Sequence, residues 1–297
     1  MIPINSLHFS VSKIMSNIEI YCGDSRNILK QFPDGFFNLI ITSPPYADAR
    51  KKHYHSIKPD DYSSFFTTFH EEFWRVLAYN GSFILNIKDK VVEGVRHRYV
   101  WKTIEHLAEL GWQCVDDYIW VKPNAMPGYW RNRFRDEWEY CFHMTKSQDF
   151  AMYQEAVKKP IGDWAQVRLQ NLNGKSAERH DSENQSGFGR DLRAWKNKDT
   201  VLPGNVVTVP LVGKNMGHPA VFPVGLPEFF IKLFTKQGDK ILDPFAGSGS
   251  TGLAAKVLDR NAVLIELEDS YVEVIKKRLE YPESYTGTWY QYELKPT

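Results

Sequence analysis

Ser43-Pro44-Pro45-Tyr46 follows directly on the apolar run Leu39-Ile40-Ile41-Thr42, so oxygen acceptors and an aromatic face stand together at a strand exit. Two successive prolines fix φ and remove two N–H donors, which leaves carbonyl oxygens free to accept. Ser43 adds a hydroxyl and Tyr46 a rigid ring. This set suits a planar ring that bears an exocyclic amine, held by its N–H groups and stacked on the phenol. The same residues also describe a proline-stiffened strand end with an aromatic plug. A second cluster, Asp243-Pro244-Phe245-Ala246-Gly247-Ser248-Gly249-Ser250-Thr251, reads as a strand entering a glycine-rich turn that opens a helix. Such a turn lets the backbone approach a ligand and aims free N–H groups at it. Glu266 ends the next apolar run, where a carboxylate accepts from the two hydroxyls of a ribose. Gly252 completes GSGSTG, so this cluster alone leaves a nicotinamide cofactor open, as well as a plain strand-to-helix turn.

These residues need a scaffold, and the flanking sequence supplies its grammar. Residues 17–22 and 37–42 read as buried strands. Residues 60–77 place Phe66, Phe69, Phe73 and Leu77 on one helical side, and Asn80-Gly81 then breaks the chain before a strand at 82–87. Residues 99–110 repeat the helical pattern with Trp101, Ile104, Leu107 and Ala108, and 112–121 follow as a strand. Between 148 and 216 the periodicity is lost, the mark of a functional or disordered insert. It returns as a helix at 226–235, a strand at 240–243, a helix at 249–258, a strand at 262–266 and a helix at 269–280. The expected fold class is α/β, a doubly wound, mostly parallel sheet interrupted by an irregular insert.

The 297 residues carry 37 Lys+Arg and 36 Asp+Glu, a formal charge of +1, which excludes a uniformly basic nucleic-acid protein but not a local basic surface. The hydrophobic share of 42% and mean hydropathy of −0.44 fit a soluble globular protein rather than a disordered one. No apolar run reaches the ~20 residues of a membrane span. The first residues lack a signal peptide's features, and Met15 offers an alternative start. Cys22, Cys114 and Cys141 are too scattered for a disulfide framework or zinc knuckle, so no metal is expected and a cytoplasmic location is.

Taken together, SPPY after a strand and DPFAGSGST downstream resemble the amino-group DNA methyltransferases that use S-adenosyl-L-methionine. The order of the motifs resembles that of their permuted beta group. Gly23-Asp24, Trp120-Val121-Lys122-Pro123 and His218-Pro219-Ala220-Val221-Phe222-Pro223 fit the same resemblance. It implies a Rossmann-like methyltransferase fold, with a leader at 1–16 and a catalytic half at 17–147. A target-recognition insert at 148–216, a cofactor half at 217–283 and a tail at 284–297 complete the expected division. Ser43, Pro44, Pro45 and Tyr46 are then the catalytic set. Phe245, Gly247 and Gly249 line the cofactor, Asp243 and His218 lie toward its methionine end, Glu266 takes the ribose and Asp24 the adenine amine. For His218 a purely structural role is the alternative. Ser at position 43 is the form seen in N4-cytosine enzymes, with N6-adenine as the alternative target.

Double-stranded DNA is the implied partner, with a restriction endonuclease acting on the same site and a dimer also allowed by the resemblance. Arg50, Lys51 and Lys52 open a basic stretch, residues 50–58, that holds four Lys or Arg and no acid. Arg131 and Arg133, with Arg135, alternate in a Trp-bearing segment. Arg168, Lys175, Arg179, Arg190 and Arg193 are the insert residues whose types read base edges. Three other function classes compete. A nucleotide-dependent oxidoreductase leaves SPPY unexplained, a non-catalytic nucleic-acid binder has no need of both intact motifs, and RNA or a protein amide would change only the acceptor.

Overall fold

The computed structural model describes residues 16–48, 57–162, 167, 171, 178–179, 190–191, 198–211 and 223–280. His218, Arg50, Lys51, Lys52, Arg168, Lys175 and Arg193 lie outside the described residues, as do the expected tail and all but the last residue of the leader. Residues up to Met152 and from Asn205 onward form one compact unit, and Tyr153–Gly204 form a second.

Eight strands build the sheet of the first unit: β1 (Ile18–Cys22), β2 (Phe37–Thr42), β3 (Leu77–Ile87), β4 (Gln113–Val121), β5 (Trp138–Thr145), β6 (Val206–Thr208), β7 (Lys240–Asp243) and β8 (Asn261–Glu266). Their spatial order is β1-β8-β7-β2-β3-β5-β4-β6. All neighbours pair in parallel except β3 with β5 and β5 with β4. The crossovers diverge at the β7/β2 seam, since β2 leads to β3 on one side and β7 to β8 on the other. In such sheets the crevice forms beyond the carboxyl ends of the strands at this point. Strands buried on both faces need near-continuous apolar sequence, and Leu39, Ile40 and Ile41 are each fully buried.

Among the described residues the α-helices are α1 (Ser25–Ile28), α2 (Tyr62–Thr67), α3 (His70–Val76), α4 (Tyr99–Glu109), α5 (Gly225–Phe234), α6 (Ser250–Val257) and α7 (Asp269–Glu280). Phe66, Phe69 and Phe73 from the α2–α3 region pack with Ile40, Phe83, Leu85, Leu242 and Val263 in one core. Truncating a fully buried ring such as Phe73 to Ala costs about 3–5 kcal/mol at sites of this kind. On the other side α5, with Phe229, Phe230 and Phe234 buried, contacts β2, β3 and α6.

Four details depart from the sequence reading. The helix expected over residues 60–77 is broken at Thr68, whose hydroxyl bonds back to the Phe65 carbonyl at 2.7 Å and competes with the helical ladder. Asn80-Gly81 does not precede a strand but lies within β3, where the β2 pairing skips from Phe37↔Leu77 to Leu39↔Ser82. A Cβ on Gly81 would stand 2.9 Å from the Asn38 carbonyl, so glycine fits this irregular crossing of strands. Ala108 of α4 is exposed, and Tyr99, Val100 and Thr103 are buried instead. Val206–Thr208, inside the stretch that lacked periodicity, joins the main sheet beside β4. In the second unit the described strands are two short antiparallel pairs, Arg190↔Arg179 with Asp191↔Glu178, and Thr200↔Pro160 with Val201↔Lys159.

Candidate active site

Ser43 and Asp243 stand at the carboxyl ends of neighbouring strands, with Ile241↔Leu39 and Leu242↔Ile40 as the last paired residues before them. Asp243 is only 4% exposed, and three donors hold its carboxylate. Thr42 donates to it at 2.7 Å, Thr251 at 2.6 Å and the Phe245 amide at 3.2 Å. One carboxylate thus fastens the residue before Ser43 to the first turn of α6. Burial raises its pKa to about 6 against the pull of these donors.

The turn after Asp243 takes positive φ at Gly247 (53°) and Gly249 (79°), conformations that side-chain-bearing residues rarely adopt. Gly247 donates its N–H to Glu266 at 2.7 Å, and the Glu268 amide bonds the other carboxylate oxygen at 3.0 Å. A carboxylate offers about four acceptor positions, so Glu266 keeps capacity for further hydroxyl donors. Burial pushes its pKa up. Arg278 of α7 secures the loop from below, donating to the Ser248 carbonyl at 2.7 Å and its hydroxyl at 2.8 Å. Phe245 packs edge-on to Phe69 at 5.0 Å between ring centroids and stays partly exposed. Asp24 caps α1 by accepting the Arg26 amide at 2.9 Å, and the Arg26 guanidinium holds its carboxyl below the usual range. These residues, from the ends of β1, β7 and β8, line one continuous edge with Ser43.

On the β2 side Pro44 is buried, while Ser43, Pro45 and Tyr46 are half-buried. The Tyr46 hydroxyl points inward, 3.1 Å from Ser43 Oγ, 3.0 Å from Asn86 Oδ1 and 2.7 Å from Glu139 Oε2. Glu139 is itself paired with Lys122, and both are about 6% exposed. Lys122 lies 4.6 Å over the Trp120 ring, whose N–H donates to the Val209 carbonyl at 2.7 Å. Burial lowers the Lys122 pKa, with Glu139 opposing.

Asn86 and Glu139 went unread in the sequence. Each is a polar residue inside an apolar strand run, SFILNI and WEYCFHM, and that interruption is the signal that points to them. Because β5 runs against its neighbours, its first residues fall where the other strands end, which carries Glu139 to Tyr46.

The segment between β4 and β5 rises from the same place. Its feet are joined by the Lys122 amide donating to the Glu137 carbonyl at 2.7 Å. Arg131 is exposed on it, and Arg133 sits 4.3 Å over the Trp130 ring and 3.7 Å from Asp136. Tyr129 (91%), Phe134 (95%) and Met126 (77%) are also exposed there. Arg190 lies in the second unit, on its two-residue strand.

The DNA methylase family model (N6_N4_Mtase) matches residues 37–277. The type II methyltransferase M.PvuII of Proteus hauseri is 28% identical over 288 residues, covering 86% of this chain and 82% of its own. M.Cfr9I of Citrobacter freundii, also a type II methyltransferase, is 28% identical over 315 residues, 94% of this chain and 93% of that one. Among solved structures, the PvuII DNA methyltransferase (cytosine-N4-specific) superposes with a TM-score of 0.67 at 26% identity, over 89% of this chain and 86% of that one. M1.HpyAVI in complex with S-adenosylmethionine shares the fold, with a TM-score of 0.57 at 23% identity over 88% and 98% of the two chains. Both motif clusters fall within the matched residues 37–277, and the chain belongs to the N6/N4 DNA methylase family.

Proposed function

We propose that this DNA methyltransferase transfers a methyl group from S-adenosyl-L-methionine to the N4 amine of a cytosine flipped out of duplex DNA. The observation that carries the reading is the juxtaposition, across the β7/β2 seam, of an acceptor cluster at Ser43–Tyr46 and a glycine turn closed by Glu266. The chemistry of the second cluster fits the cofactor: Glu266 retains acceptor capacity for ribose hydroxyls, and Phe245 offers an aromatic face to a cation. Bound there, the cofactor supplies a methyl group already activated on a sulfonium.

The chain's own contribution is then position and charge. An exocyclic amine is a weak nucleophile because its lone pair is delocalised into the ring. Ser43 Oγ and the Pro44 carbonyl accept its N–H groups, favour a pyramidal nitrogen and stabilise the positive charge that develops on it as the N–C bond forms and the methyl–sulfur bond breaks; one N–H proton is then released to water. Tyr46 stacks on the base with the half-exposed face of its ring. Gly247 and Gly249 shape the cofactor loop, and Asp243, engaged by three donors, holds that loop to β2.

Arg131, Arg133 and the exposed aromatics of the β4–β5 segment are proposed to meet the DNA near the flipped base, with the insert at 148–216 reading the sequence. A serine at position 43 and the cytosine-N4-specific relative favour cytosine over adenine. The test is to incubate the protein with S-adenosyl-L-methionine and unmethylated duplex DNA, digest, and identify the modified nucleoside by mass. N4-methylcytosine is expected. N6-methyladenine would overturn the base assignment, and no methylated base would overturn the reading.

A further inference from the structure

Behind Ser43 runs a line of buried polar groups whose hydrogen-bond directions follow from the members that have only one role. The Tyr140 carbonyl can only accept, so the Asn86 atom 2.9 Å from it is the amide nitrogen. Asn86 Oδ1 is therefore the atom 3.0 Å from the Tyr46 hydroxyl. Glu139 Oε2, 2.7 Å from that hydroxyl, also accepts, while the other carboxylate oxygen takes the Lys122 ammonium. Tyr46 has one proton facing two acceptors, and the nearer, charged one holds it more strongly. Burial first, and then Glu139, keeps the phenol pKa well above its ordinary value, so the proton stays in place. The Tyr46 oxygen is left to accept, and Ser43 Oγ, 3.1 Å away, has the proton to give.

We propose that Glu139 is a positioning residue that sets the polarity of the Ser43 hydroxyl. With Tyr46 turned to Glu139, Ser43 turns its proton to Tyr46 and presents only lone pairs to the amine. The inference rests on the amino-group methylation reading above. The relay moves no proton; it fixes which way each O–H points. It also accounts for the buried Glu139–Lys122 ion pair, since a lone Glu139 carboxylate there would be strongly destabilising without Lys122.

Glu139→Gln weakens the arrangement with little change in shape: Asn86 Oδ1, 3.0 Å from the Tyr46 hydroxyl, is left to take its proton, and the new amide competes with Ser43 for the Tyr46 oxygen. Lys122 only donates and so claims the amide oxygen, which turns the NH2 toward Tyr46 and the Asn86 amide. Charge-assisted bonds are about twice as strong as neutral ones, and a loss of about 10-fold in methyl transfer is expected. The decisive measurement is a mutant cycle with Ser43→Ala. Single-turnover rates are followed with methyl-tritiated S-adenosyl-L-methionine and unmethylated plasmid DNA, enzyme in excess so that slow variants are measured over hours. If Glu139 acts through Ser43, Glu139→Gln changes the rate less than about 2-fold in the Ser43→Ala background. The full loss persisting there means a purely structural role and overturns the inference. Tyr46→Phe keeps the ring and the Glu139–Lys122 pair, and its cycle with Ser43→Ala decides the matter if Glu139→Gln does not fold. It must be non-additive too. A wild-type protein that methylates no base sinks the reading beneath, a result distinct from additive cycles in an active enzyme.

Discussion

Asp243 gives a prediction whose size follows from its surroundings. Its pKa in the folded protein is about 6, against 3.8 as the ordinary value, because burial outweighs three hydrogen bonds to the carboxylate. The folded state therefore binds a proton more tightly than the unfolded chain, and stability contributed by the neutral form is lost as pH rises through 6. Between pH 5 and pH 8 the loss is about 1.4 kcal/mol, approaching a limit of about 3 kcal/mol referred to strongly acidic solution. Asp243→Asn removes the titration and can keep the Thr42 and Phe245 donors on its amide oxygen. Urea unfolding of both proteins at pH 5, 6, 7 and 8 should show the variant gaining on the wild type by about 1.4 kcal/mol toward pH 8. Methyl transfer should fall at the same time, because the amide presents a donor to Thr251 and loosens the α6 attachment. Parallel pH profiles, with a difference that stays within about 0.3 kcal/mol, would falsify the account of Asp243 as a buried ionised clasp.

Ser43→Ala should reduce methyl transfer by about 10- to 100-fold, the loss of one charge-stabilising acceptor, while cofactor affinity by calorimetry stays within about 2-fold. Equal losses in both would remove Ser43 from the acceptor role. Glu266→Ala should weaken S-adenosyl-L-methionine binding and lower stability by about 1–3 kcal/mol, since it orphans the Gly247 and Glu268 amides. A stable variant with unchanged cofactor affinity would contradict that. Gly249→Ala is expected to lower the melting temperature, because φ is +79° and the new Cβ would stand 2.9 Å from Ile275 Cγ2. Arg131→Ala should reduce the slope of log affinity against log salt for DNA by about 1, and an unchanged slope would place Arg131 off the phosphates.

The sequence was most legible where one local pattern specifies one element. Residues 37–42 and 269–280 are strand and helix to the residue, because an apolar run and an amphipathic repeat leave no other solution. SPPY and DPFAGSGST were legible for the same reason, each being a strand exit with its own turn chemistry. β5 was not, since nothing local states that a strand will enter a parallel sheet backwards. Glu139 was missed with it, because its meaning depends on that direction. The engagement of Asp243 was equally out of reach: Thr42 and Thr251 lie 201 and 8 residues away, and only the folded seam brings them to one carboxylate.

The seam between β7 and β2 also acts as a ruler. Strand residues advance by about 3.3 Å, and reacting atoms in a productive encounter stand about 3–3.5 Å apart. A slip of one residue along Ile241↔Leu39 would thus displace the acceptor past the donor by a whole reaction distance and turn every side chain of β2 to the other face. On the proposed reading, donor-to-acceptor spacing is quantised by backbone registry, and variants that soften the pairing without unfolding the chain should lose turnover before they lose affinity for either substrate.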